Sequence, residues 1–539
     1  MEKQKSKAGI IIFIVLLIVQ FAYMIFWGMQ KSGYYVDEFF TYDNAHYISA
    51  STPERLKLYE ADYLEYNKWL DVLDIKGTLM VQREESLLND SLAYNIKVFL
   101  TSKPYMAILN YVEAIFFEGE LNWWSSMSIN MVCFLLNQIF MYLLTMKICK
   151  KSNVALLATA MYGFCGMAIS MFVYVRMYMW LTMLVTLFTY LHVLMWNEEK
   201  HWKNILFEIM SLPVLFLAYR NSPLPVIYGI SLIGCFTVGL LVRKKWIQAM
   251  YYGIPIIGGG VVFAITQTDY VKIFANPQQA LMSGILDSPT TSLVQSMYSM
   301  NIDEFMSRMK EVLRVIFRFE FGHFIIAILY VLLVVFLACI LVKKNKEIRK
   351  SKEIENTGFQ YILYASVVLF FIGAVIFTLI PIRYTSFVYP MIAVCVMLLI
   401  MHLGQMINIE KIITASVIVL ICGQTFFTVY IPRIENLYLE DREAVQNIQR
   451  CEGINSLVVD YHFDDRVMYE CLAYTDENTK VMFSSYEDID YAELGENILV
   501  WQTVNVSSEE LEQNLRNAGY CTTEKLGETH ESKVFLCKK

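Results

Sequence analysis

The chain has 539 residues, 56% of them hydrophobic and 18% charged, with a formal net charge of −7. Its mean hydropathy of +0.43 exceeds ordinary globular usage and excludes an array of soluble domains, so most of the chain belongs in a bilayer. The acidic balance also excludes nucleic acid as a partner held by charge.

Apolar runs of roughly 20 residues, the length a helix needs to cross about 30 Å of hydrocarbon, recur along the chain. The first covers 9–29 behind a basic start, as a secretory signal would. It is longer than a usual signal core and no small-x-small cleavage site follows, so it reads as a retained helix. Ten more lie at 127–146, 154–173, 178–196, 204–219, 224–242, 248–266, 322–342, 359–380, 386–403 and 411–431. The fifth of the eleven is short and carries Glu208 and Pro213, which leaves counts of nine or ten open.

Basic residues in short loops stay on the cytoplasmic side and orient the spans. Alternate loops carry Lys147, Lys150 and Lys151; Lys200 and Lys203; Arg243, Lys244 and Lys245; and a basic run from Lys343 to Lys352. The loops between them carry only Arg176, Arg220 and Arg383. This asymmetry predicts a multi-pass protein of the cell membrane with its N-terminus cytoplasmic and its C-terminal domain outside.

Three segments then face outward: a long first loop over 30–126, a loop over 267–321, and the tail over 432–539. In the second, Ile302, Phe305, Met306, Met309, Val312, Leu313, Ile316 and Phe317 fall at helical spacing among basic residues, the pattern of a helix lying on a membrane face. The tail carries 10 Lys and Arg against 22 Asp and Glu, a net of −12, which leaves +5 for the rest. Strand-like stretches occur there at SLVVDY, KVMFSS, NILVWQ and KVFLC, and Ser507 to Ala518 reads as a helix with Ser507 and Glu510 as a capping box. The tail is therefore expected to be a soluble α/β domain.

Most of the eleven cysteines fall inside expected spans, as small apolar fillers do. Cys451, Cys471, Cys521 and Cys537 lie in the tail, where disulfides are permitted and not required. No CxxC, HExxH, Walker or GxGxxG pattern is present, so neither zinc nor nucleotide chemistry is indicated. No cofactor is expected, although Asp37, Glu38 and Asp43 leave a divalent ion as an open alternative.

The stretch YYVDEFFTYDNAHY begins at Tyr34, soon after the first span. Its Asp37 and Glu38 share the expected outer side with Arg176, Arg220 and Arg383. A carboxylate can take a proton from a hydroxyl acceptor, and guanidinium groups can hold a departing phosphate bidentately. A sugar joined through phosphate to a lipid suits that pair of tools.

Four stretches, in order, resemble the membrane glycosyltransferases of the GT-C fold, in particular the GT39 group of protein O-mannosyltransferases and the related bacterial lipid A aminoarabinose transferases. They are DEFFTY from Asp37, SKPYMAILNY from Ser102, YVRMYMWLTMLVTLFTYL from Tyr174 and PIRYTSFVYPMIAV from Pro381. The resemblance implies a GT-C transmembrane domain over 1–431 and an inverting transfer from a polyprenyl-phosphate sugar to a hydroxyl acceptor on a protein, lipid or wall polymer. It implies Asp37 as general base with Glu38 assisting, and Arg176, Arg383, Lys103 and Arg220 as candidates for the donor phosphate. Asp43, His46, Tyr178 and Tyr384 are candidates for acceptor or loop contacts. The chain departs from the family pattern at Ser102 and Lys103, where His and Pro are usual, and at Tyr174, where Glu is usual.

Two alternatives remain. A transporter or flippase of a lipid-linked saccharide would also be polytopic, but would concentrate ionisable groups near mid-membrane and show repeated halves. An inactive relative could serve as a binding or scaffold protein.

Overall fold

A computed structural model describes residues 2–49, 67–83, 103–266, 301–348, 358–376, 382–431, 434–459, 465–485, 488–504 and 507–539. Ser102, residues 267–300 of the second expected outer loop and Pro381 lie outside these. The chain divides into two units. One comprises Met1–Ile25, Asn130–Phe172 and Met177–Ile434; the other comprises Phe26–Ile129, Val173–Arg176 and Glu435–Lys539. The segment expected as a long first loop is thus grouped with the C-terminal residues rather than with the spans.

The first unit is built from apolar helices. Among the described residues nine helices are long and apolar enough to cross a membrane, and ten if the bent pair Ser152–Gly163 and Gly166–Val173 is one span. The seventh expected span, 248–266, corresponds to the helix Trp246–Thr266, whose side chains are described only as far as Gly260. The protein is a multi-pass membrane protein. Tyr178–Asn197 and Ile382–Met406 are the most enclosed of these segments, with 78% and 72% of their apolar windows buried, whereas Phe324–Lys343 has 22%. The first two are central, and the third turns most of its side chains outward, as a lipid-facing helix does.

Polar side chains act as ties between these helices. The bent pair turns by 55° at Phe164 and Cys165. Just before the bend, Gln20 Nε2 donates to the Thr159 carbonyl at 2.9 Å and Gln424 Nε2 to the Met161 carbonyl at 2.7 Å. Backbone irregularity in an apolar layer requires such partners. A Cβ at Gly163 would run into the Gln20 and Gln138 side chains, so a larger residue there would displace the Gln20 tie. Further ties join Thr189 Oγ1 to the Tyr228 hydroxyl at 2.9 Å and His192 Nε2 to the Tyr252 hydroxyl at 2.8 Å. Pro213 is accommodated inside the helix His201–Asn221.

The expected amphipathic helix runs over Ile302–Phe319, capped by Asn301, whose side chain accepts from Glu304 N at 2.8 Å. Val312, Ile316 and Phe319 are buried, while Ile302, Met306 and Leu313 remain exposed.

The second unit contains a six-stranded sheet of order β1-β3-β2-β4-β6-β5. Its strands are β1 Trp69–Asp71, β2 Ser456–Val459, β3 Lys480–Ser484, β4 Asn497–Thr503, β5 Thr522–Glu528 and β6 Ser532–Lys538. β2 pairs in parallel with β3 and β4, and the other pairs are antiparallel. The helix Asp465–Tyr474 makes the crossover that the parallel β2–β3 pair requires. Leu457, Met482, Val500 and Phe535 pack with Leu511 and Leu515 of the helix Glu509–Asn517 in one core.

The four strands expected in the tail are present, and β1 and β5 are additional. The expected capping box does not form. The helix starts one residue later than the box requires, so Ser508 is the N-cap without a side-chain bond. The third helical position is then the buried Leu511, which carries no carboxylate to reach back. All eleven cysteines are free thiols.

Candidate active site

The helix Val36–Ser49 carries Asp37 and Glu38 in its first turn, where the positive end of the helix dipole favours carboxylates. Side chains on successive helical residues point roughly 100° apart. The two acids therefore meet different surroundings.

Glu38 is fully buried. Lys31 Nζ lies 3.0 and 3.1 Å from its two oxygens, Val175 N donates to Oε1 at 2.8 Å and Tyr35 N to Oε2 at 2.8 Å. Lys31 also donates to the Asn436 carbonyl at 2.8 Å. Burial pushes the Glu38 carboxyl up, against the pull of Lys31 and the two backbone N–H groups. The same burial pushes the Lys31 ammonium down, against the pull of Glu38. This arrangement saturates Glu38 and makes it a brace.

The brace extends to the C-terminal residues. Ser32 N donates to the Leu437 carbonyl at 2.8 Å, Tyr34 N to the Tyr474 hydroxyl at 3.1 Å, and Arg442 Nε to Ser32 Oγ at 3.0 Å. Phe39 stacks on Tyr469 with ring centroids 5.1 Å apart. The residues leading into the acid helix are thereby fixed on several sides.

Asp37 is only partly buried. The Tyr174 hydroxyl donates to Asp37 Oδ2 at 3.0 Å, and Arg176 Nη1 donates to the Asp37 carbonyl. Lys103 stands at the N-cap of the helix Pro104–Phe116. Partial burial, then the charge of Arg176, holds its ammonium below the usual lysine range. Asp37, Arg176 and Lys103 are therefore gathered in one unit, as a carboxylate with two cations.

The remaining candidates lie elsewhere. Asp43 is half-buried and His46 is 1% exposed on the same helix as Asp37. The nine residues between Asp37 and His46 amount to roughly two and a half turns, which turns the imidazole to the opposite side. Tyr178, Arg220, Arg383 and Tyr384 belong to the first unit. There Tyr178 is buried at the start of Tyr178–Asn197, and that helix packs against the turn Ser386–Val388. The Arg383 guanidinium lies over the Tyr384 ring, 5.2 Å from its centroid. Arg220 ends the helix His201–Asn221. Among the described residues no group of three His, Cys, Asp or Glu is placed to hold a metal ion.

Sequence reasoning missed Lys31 and the role of Tyr174, which it noted only as a departure. It also missed Glu113, a buried acid on Pro104–Phe116 that accepts from Ser125 Oγ at 3.1 Å. Burial pushes the Glu113 carboxyl well up, and the acid sits close enough to Tyr34 and Tyr42 to raise their phenols as well.

No family model and no curated protein matches the chain. Among solved structures, ArnT from Cupriavidus metallidurans bound to undecaprenyl phosphate aligns over 98% of this chain and 97% of its own, at 11% identity and a TM-score of 0.51. The apo state of the same protein aligns over 99% and 98%, at 10% identity and a TM-score of 0.39. The chain has the GT-C fold. In a GT-C chain, the helix Val36–Ser49 and the Tyr174–Arg176 segment are the parts that bring an acid and cations together within one unit.

Proposed function

We propose that this chain is a membrane glycosyltransferase, GT39-like in its reaction, that moves a hexosyl or pentosyl group from a polyprenyl-phosphate donor to a hydroxyl acceptor on the outer face of the cytoplasmic membrane. The observation that carries the proposal is the placing of Asp37 with Arg176 and Lys103 within one unit of a GT-C chain. The undecaprenyl phosphate bound by the similar ArnT supports a polyprenyl-linked donor. The Lys and Arg asymmetry of the short loops supports a cytoplasmic N-terminus and an outer location for this unit.

In the proposed reaction, Asp37 takes the proton of the acceptor hydroxyl as its oxygen attacks the anomeric carbon. The bond from that carbon to the phosphate oxygen breaks, and configuration inverts. The lipid phosphate leaves with the bonding pair, and Arg176 and Lys103 offset its charge, each contact contributing roughly 1.5–3 kcal/mol. Arg383 and Arg220 are further phosphate candidates. Glu38 acts by holding the helix that carries Asp37.

The test is transfer from radiolabelled polyprenyl-phosphate sugars into membrane and surface fractions, comparing the intact protein with Asp37→Asn at equal expression. Incorporation that collapses by about a hundredfold or more supports Asp37 as general base. Incorporation that survives the substitution removes it, and a protein that uses no donor removes the transferase reading.

A further inference from the structure

The three residues Tyr174–Arg176 engage both acids at once. The Tyr174 hydroxyl donates to Asp37 Oδ2 at 3.0 Å, Val175 N donates to Glu38 Oε1 at 2.8 Å, and Arg176 Nη1 donates to the Asp37 carbonyl. The segment is itself tightly turned, with Arg176 N donating to the Tyr174 carbonyl at 2.7 Å. Tyr174 is 2% exposed, so its ring has no room to swing away.

An aspartate carboxylate turns easily about its last torsion, which is broad and roughly two-fold. A general base works only when one oxygen is held about 2.6–3.2 Å from the atom whose proton it will take, with an orientation fixed to within about 10–20°. A phenol, with a pKa near 10, remains a donor at neutral pH.

We infer that Tyr174 is a positioning residue whose hydroxyl holds Asp37 Oδ2 and thereby sets the orientation of the carboxylate for proton transfer. The inference rests on the proposed transferase reading for its purpose, and on the contact itself for its geometry. Tyr174 touches no reacting atom and exchanges no proton in this role. Charged groups near this contact include Arg176, on the Asp37 carbonyl, and Lys103, close enough to sense Arg176. Glu38 is the adjacent acid, turned inward and paired with Lys31.

The test compares the full-length wild type with Tyr174→Phe, which keeps the ring that fills the site. Asp37 is labelled with a carbodiimide and an amine at one fixed pH, and the rate is read by peptide mass spectrometry. Loss of the phenol donor uncovers Oδ2 and is expected to raise the labelling rate about threefold or more. In the transfer assay kcat is expected to fall about tenfold, with the donor KM changed by less than about twofold. An unchanged labelling rate overturns the contact, whatever the activity. A raised rate with unchanged kcat overturns the positioning role. A wild type that transfers nothing overturns the proposed function instead, and the labelling rate then decides the contact alone.

Discussion

Asp37 and Glu38 are neighbours in one helical turn, yet they sit in opposite electrostatic situations. Glu38 has lost all contact with water and is compensated by Lys31 and two backbone N–H groups. Asp37 keeps part of its surface and accepts from the Tyr174 hydroxyl. A roughly 100° step around the helix separates an enclosed, ion-paired acid from a partly exposed one. The three cations divide in the same way: Lys31 is consumed by the brace, while Arg176 and Lys103 lie on the Asp37 side.

The largest effect should come from breaking the brace unevenly. Removing one partner of a buried pair strands the other charge and costs about 3–5 kcal/mol. Lys31→Met alone should therefore lower thermal stability sharply, read by intrinsic fluorescence of the purified protein. Joining it with Glu38→Gln should recover part of that loss, because no charge is then stranded, while the single amide oxygen accepts from only one of Tyr35 N and Val175 N. Equal losses in the single and double variants would sink the brace.

On the other side of the turn the pattern should invert. Asp37→Asn should leave stability within about 1 kcal/mol, as partly exposed sites do, while transfer falls by about a hundredfold or more. Arg176→Lys retains the charge and loses the planar fork, and should cost about tenfold in transfer. If Arg176→Lys unfolds the protein instead, the guanidinium belongs with the brace.

How much of this division could be read from the chain depends on the range of each contact. The spans were legible because about 20 apolar residues in a row announce themselves locally. Four strands of the tail were legible for the same reason, through runs such as NILVWQ. β5, reading TTEKLGE, is a polar edge strand without clean alternation, and β1 is three residues in a long loop. Neither carries a local signal. The motif beside a span singled out Asp37 and Glu38 together and carried no signal that Glu38 is buried. Lys31 meets the carbonyl of Asn436, 405 positions away, and no spacing rule reaches that far. Tyr174 looked like a departure because its partner, Asp37, is 137 positions distant.

The same unit offers a finer version of the comparison, a buried carboxylate compensated by hydroxyls in place of a lysine. Glu470 accepts from Ser532 Oγ at 2.7 Å, from Thr529 Oγ1, and from Glu531 N at 3.2 Å. Burial raises its pKa from 4.5 to about 7, against the pull of those donors and with a push from Asp441. Because the folded value lies above the unfolded one, this contribution to stability is fully present below about pH 4.5 and is lost as pH rises through about 7. Unfolding measured between pH 4.5 and 8 should show a decline on the order of 1–3 kcal/mol. Glu470→Gln, which keeps an acceptor oxygen and cannot ionise, should shrink it. Asp441, raised from 3.8 to about 7 by burial, leaves a residual slope of comparable size in that variant. A decline that persists at full size would mean that three neutral donors hold the Glu470 charge as well as Lys31 holds Glu38, and the contrast between lysine-braced and hydroxyl-braced acids would disappear.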